Sequence, residues 1–201
     1  DEVMTGFGRT GTDWGMEHYG VKSDLICTAK GLTSGYLPLG AVLVSEHVID
    51  TIAEADVPFT HGFTYAGHPV ACAVAMANIE IYERERLAER SGAMGARFMQ
   101  RLTAKENPFI GDLRGRGLMI GIELVKDRAT GARFEGDPVG FAIEAAAFRE
   151  GIIIGVAPYR DTLMITPPLV ITEEETDRLA DTLDAVIREV CASRALQVLN
   201  G

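Results

Sequence analysis

Short apolar runs alternate along the chain with longer stretches in which apolar positions recur every three or four residues. Residues 24–28 and 41–45 are β-favouring runs that predict two strands, with a loop carrying glycines and a proline between them. Residues 1–3 read as the end of a strand opening into a loop with Gly6, Gly8 and Gly11. A short helix or irregular link is expected over 13–21, and a short helix from about 46 to 53. From 70 to about 105, Val74, Ala77, Ile81 and Leu87 keep helical spacing. This predicts one long helix, opened by Pro69 in its first turn and broken near Ser91-Gly92.

After Asn107-Pro108 the helical pattern stops, which places a domain boundary there. The later part of 110–125 alternates apolar residues with glycine or acid, as a strand does. A polar loop (126–138), a helix (139–150) and two short strands (151–156 and 162–166) follow, and Pro167-Pro168 closes the second strand. Thr172 and Glu175 form a capping-box pattern that opens a final helix to about 192, with a frayed tail beyond. The sum is an α/β chain of two domains, 1–106 and 107–201.

Composition narrows the function classes. Hydrophobic residues make up 47% and charged residues 24%, the proportions of a globular protein. Acids outnumber bases 29 to 19, and no basic cluster interrupts the net charge of −10, which argues against nucleic acid as partner. No apolar run approaches the ~18 residues of a membrane span. Cys27, Cys72 and Cys191 are odd in number and widely spaced, and read as buried free thiols of a reducing, cytoplasmic compartment. The four histidines lack zinc-ligand spacing, so no metal is expected. The chain opens at Asp1 without a methionine and is expected to be the C-terminal part of a longer protein.

Three places carry candidate chemistry. Lys30 stands where the run 24–28 ends and a glycine loop begins. It is either a solvated loop lysine or an amine held for Schiff-base chemistry with a carbonyl. Asp1, at the carboxyl end of a strand, is either a ligand-facing acid or a turn carboxylate. Thr64, in a loop just ahead of a helix, is either a phosphate ligand or a helix cap. Gly115 and Gly117 lack the third glycine and the strand-to-helix turn of a dinucleotide-binding fingerprint.

Taken together, four ordered motifs spanning nearly the whole chain resemble the class III aminotransferases. They are Asp1-Glu2-Val3-Met4-Thr5-Gly6-Phe7-Gly8-Arg9-Thr10-Gly11, residues 24–40 around Ala29-Lys30-Gly31, His61-Gly62-Phe63-Thr64-Tyr65-Ala66-Gly67-His68-Pro69, and Pro167-Pro168-Leu169-Val170-Ile171-Thr172. The resemblance implies a fold-type I pyridoxal-phosphate transferase, represented by the C-terminal part of its large domain and the small C-terminal α+β domain. It implies pyridoxal 5'-phosphate bound to Lys30 as a Schiff base, with Lys30 also shuttling the proton. Asp1 would pair with the pyridine nitrogen and Val3 would pack on the ring. Thr64, with the backbone of Phe63, would reach the phosphate in the neighbouring subunit of a homodimer.

The implied reaction moves an amino group from an amine or ω-amino acid to a keto acid such as pyruvate. The family's glycine-serine phosphate loop, its ring-stacking aromatic and much of its pocket would precede Asp1, so these 201 residues alone are expected to be inactive. Ornithine- and 4-aminobutyrate-type relatives carry a carboxylate-binding arginine just before the Pro-Pro segment, where this chain has Leu163-Met164-Ile165. Arg160, in the preceding loop, is the candidate for the keto-acid carboxylate, with a solvated loop arginine as the alternative. An aminomutase or decarboxylase on the same scaffold, or a non-catalytic truncated domain, are the competing expectations.

Overall fold

The computed structural model describes residues 1–55, 58–136, 138–157 and 161–199. They divide into two units, Asp1–Glu89 and Arg90–Gly201. In the first, β1 (Leu25–Thr28) pairs antiparallel with β2 (Ala41–Val44), Leu25 opposite Val44 and Thr28 opposite Ala41. Both apolar runs form strands, yet the two-stranded sheet leaves Leu25, Val42, Leu43 and Val44 exposed.

Next come α1 (Glu46–Glu54) and α2 (Pro69–Arg84). Pro69 occupies the first turn of α2, where its missing N–H is no loss. The helical run breaks earlier than its small residues suggest. Arg86 takes φ 50°, so α2 ends at Arg84 and α3 (Leu87–Thr103) begins at once and runs through Ser91 and Gly92. Residues 1–3 form no strand. The Asp1 carboxylate accepts the Val3 N–H at 2.8 Å and Gly6 N–H bonds the Glu2 carbonyl at 2.9 Å, turning the chain immediately. Of the thiols expected inside, only Cys191 is buried. Cys27 alternates with buried Thr28 along β1, and Cys72 lies off the buried Ala71–Ala75 stripe of α2, so both are exposed.

The second unit is a four-stranded antiparallel sheet in the order β3-β4-β6-β5, formed by β3 (Ile110–Arg116), β4 (Met119–Leu124), β5 (Gly155–Val156) and β6 (Thr162–Ile165). α4 (Val139–Arg149) and α5 (Glu173–Leu199) pack together, and the core joins them to the sheet and to Phe98 and Leu102 of α3. Alternation along β4 buries Ile120, Ile122 and Leu124. Most of 151–156 does not form the predicted strand. Gly151, at φ 77°, turns the chain out of α4, and the Ile152 N–H bonds the Ala147 carbonyl at 2.9 Å. The capping box is present: Thr172 Oγ1 accepts the Glu175 N–H at 3.1 Å and Glu175 accepts the Thr172 N–H at 2.8 Å. The final helix runs past the expected end, to Leu199.

Charges repeat every four residues along α3 and just beyond its end, and along α5, and meet as a ladder. Arg97 pairs with Asp177 at 2.7 Å and Glu173 at 2.8 Å, Arg101 with Asp181 at 2.7 Å, and Lys105 with Asp181 at 2.9 Å. Arg101, with Lys105, holds the Asp181 carboxyl down from its ordinary 3.8 to about 2. A depressed carboxylate stabilises the fold above its ordinary pKa, and that contribution is lost as pH falls from about 4 through 2. Asp181→Asn is therefore expected to lower the unfolding free energy at neutral pH and to flatten its fall over that window, the difference from the parent vanishing near pH 2, as followed by urea denaturation at stepped pH.

Candidate active site

Lys30 stands just beyond β1. Ala29 is extended at φ −161°, and Lys30 opens a single 3-10 turn, Lys30–Leu32, with its own φ at 40°. Its side chain is exposed and Nζ donates to Met4 Sδ at 2.7 Å. The same N-terminal segment lies against β1, because the Glu2 N–H donates to the Cys27 carbonyl at 2.8 Å. The fold thus gathers Asp1, Val3 and Met4 at the strand end that carries Lys30. Val3 is half-buried and Asp1 is exposed, its Oδ1 accepting the Val3 N–H.

Glu2 escaped the sequence reading and anchors this arrangement. It is 6% exposed, and its carboxylate accepts N–H groups from Gly15 at 2.9 Å and Met16 at 2.8 Å, and the hydroxyl of Thr5. Burial pushes this carboxyl up, but the Thr5 hydroxyl and the Met16 and Gly15 amides outweigh it and hold it below its ordinary value. No local pattern could reveal the role, since two of the donors lie 13 and 14 residues onward. Glu2→Gln turns an amide NH₂ toward N–H groups, and is expected to cost about 1–3 kcal/mol in chemical denaturation.

Phe63 and Thr64 lie in an exposed segment ahead of α2, closed by a turn in which the Ala66 N–H bonds the Phe63 carbonyl at 2.9 Å. The Phe63 ring meets His61 edge-on at 5.6 Å. Thr64 is not the cap of α2. That place belongs to His68, whose Nδ1 accepts the Ala71 N–H at 3.4 Å. Among the described residues no hydrogen bond ties this segment to Lys30 or Asp1. Arg160 lies outside the described residues. A cavity of about 520 Å³ in the second unit, lined by Ile153, Pro167, Ile171 and Leu179 among others, contains none of these candidates.

The structure thus brings a lysine at a strand end together with the acid-bearing N-terminal segment, and sets a hydroxyl-bearing loop ahead of α2. The chain belongs to the class III aminotransferases: the profile of the family described as Aminotransferase class-III matches residues 1–187. A putrescine–pyruvate aminotransferase of Pseudomonas aeruginosa is 42% identical over 181 residues, covering 89% of this chain and 39% of that protein. A diaminobutyrate–2-oxoglutarate transaminase of Halomonas elongata is 40% identical over 198 residues, covering 94% of this chain and 42% of that protein. Among solved structures, an (S)-enantioselective omega-transaminase from Thermomicrobium roseum superposes with a TM-score of 0.86 at 47% identity, covering 94% of this chain and 42% of that one. The chain spans about two fifths of the length of these relatives. Its fold is that of the fold-type I pyridoxal-phosphate transferases.

The family's cofactor is pyridoxal 5'-phosphate, and solved relatives are described in PLP-bound and PMP-bound forms. The donor set here suits that group. Lys30 offers an exposed primary amine for an aldehyde carbon, Asp1 an exposed carboxylate for a ring nitrogen, and Thr64 an exposed hydroxyl for a phosphate.

Proposed function

We propose that this chain is the cofactor-lysine half of an aminotransferase that moves an amino group from an amine or ω-amino acid to a keto acid such as pyruvate. The observation that carries the reading is Lys30, an exposed amine at the end of β1 with Nζ 2.7 Å from the segment bearing Asp1. Pyridoxal 5'-phosphate, when bound, supplies the electron sink that lets a bond to the substrate's α carbon break. Lys30 Nζ would hold the cofactor and, once released, would take the proton from that carbon. The Asp1 carboxylate would pair with the ring nitrogen, Val3 would pack on the ring, and Thr64 with the Phe63 backbone would bind the phosphate.

Several further features belong to the same reading. Thr64 serves the neighbouring site of a homodimer, and the protein works in the cytoplasm on small amines and keto acids. The names of two relatives, pairing putrescine with pyruvate and diaminobutyrate with 2-oxoglutarate, support that substrate class. We assign residues 1–106 to the large domain and 107–201 to the small one, with the C-terminal half of α3 packing into the core of the latter. Arg160 binds the keto-acid carboxylate, a part left open because no arginine occupies 162–166. The 201 residues alone do not turn over, and the uncovered Leu25, Val42 and Leu43 on the β1–β2 sheet support this. Titration with pyridoxal phosphate tests the reading: a visible band at one equivalent is expected from the complete gene product and not from these residues by themselves.

A further inference from the structure

Lys30 is held in a backbone conformation it would not choose. A φ of 40° is uncommon for a residue with a Cβ and persists only where the surroundings impose it. The turn's own bonds are few: Leu32 N–H to the Ala29 carbonyl at 2.9 Å, Thr33 N–H to the Lys30 carbonyl at 3.2 Å, and Ser34 N–H to the Gly31 carbonyl at 3.4 Å. On one side the turn presses on Phe7, since a Cβ added to Gly31 would stand 2.8 Å from Phe7 Cβ. On the other stands Asn78 of α2. Its Nδ2 donates to the carbonyls of Gly31 at 2.8 Å and Leu32 at 3.2 Å, and its Oδ1 accepts the Ser34 hydroxyl at 2.7 Å. Two carbonyl partners fix which amide atom is the nitrogen, and among the described residues the side chain's hydrogen bonds fall on this turn.

We propose that Asn78 is a positioning residue for Lys30, clamping the two carbonyls that follow the lysine so that the amine is held at the end of β1 while its own side chain stays unencumbered by the clamp. The inference rests on Lys30 being the cofactor lysine. A small amide suits the task, since one group satisfies the turn from a rigid helix 46 and 47 residues away in sequence. A carboxylate of the same size would face both carbonyls with no hydrogen to offer.

The test uses Asn78→Asp, Ser34→Ala and Lys30→Ala in the complete gene product loaded with pyridoxal phosphate. For Asn78→Asp we expect kcat to fall about tenfold or more with the amine KM within about twofold, because a small misplacement of the amine acts on the chemical step. The pH midpoint of the visible absorbance of the lysine-bound cofactor should move by about half a unit or more, since the amine's surroundings change. Ser34→Ala, which spares both carbonyl bonds, should leave kcat and midpoint unchanged. If Asn78→Asp does not fold, Asn78→Ser carries the same readouts. A folded Asn78 variant that loses thermal stability yet keeps kcat and midpoint overturns the inference alone. A Lys30→Ala variant that keeps the visible band overturns the assignment of Lys30, and this inference with it.

Discussion

Lys30→Ala in the complete gene product is expected to remove the visible band of bound pyridoxal phosphate and to lower turnover by roughly 10⁴-fold or more, because one side chain serves as both covalent anchor and proton carrier. The geometry favours a large effect. Lys30 leaves β1 in a left-handed conformation, its Nζ reaches Met4 Sδ at 2.7 Å, and Asp1 and Val3 belong to the same segment. Lys30→Arg separates charge from covalency, for it keeps a cation that cannot condense with an aldehyde. Both variants should be silent in absorbance titration and in a pyruvate-coupled amine assay. Retention of band and turnover in either would end the assignment.

Gly95→Ala is the second large effect and bears on folding alone. A Cβ at Gly95 would stand 1.9 Å from the Gly117 carbonyl oxygen, 2.4 Å from its carbon and 3.0 Å from its Cα. All three are backbone atoms of the β3–β4 turn, so no side chain can swing aside, and α3 would have to lift from the hairpin. Ser91, one turn earlier and fully buried, accepts the Leu118 N–H at 3.1 Å and marks the same close approach. The expected cost is about 3–5 kcal/mol, or about 10 °C in melting temperature for a chain of this size. Gly40→Ala, whose Cβ would meet its nearest neighbour at an ordinary 3.5 Å, should change stability by less than about 0.5 kcal/mol. A Gly95→Ala protein melting with the parent would show that α3 does not pack on the hairpin this tightly.

The candidate site was partly legible. Lys30 could be placed at a strand end because β-favouring runs and glycine loops are local signals, and the four motifs carried the family. What keeps Lys30 in place was not legible. Asn78 lies mid-helix in an alanine-rich run, and its partners Gly31 and Leu32 are set beside it only by the fold. A polar amide among small apolar residues was the one available hint. Thr64 read equally well as a cap, and only the structure gives that duty to His68.

The sequence by itself determined whatever depends on neighbours within a few residues. The period along β4, the capping box at Thr172 and Glu175, Pro69 at the head of α2 and the lysine at the close of β1 are of this kind. Tertiary structure alone decided the matters in which a residue answers to distant partners. Ser91-Gly92 suggests a helix break, yet α3 runs through it, and at Ser91 and Gly95 the close packing on the hairpin demands small residues. The break falls at Arg86, where φ turns positive. Glu2 is buried although charged, because Gly15 and Met16 bring their amides back to it. Local propensity is worth tenths of a kcal/mol per residue, whereas a buried carboxylate without its donors or a Cβ driven into backbone costs several. Where the two disagree, the distant contact prevails.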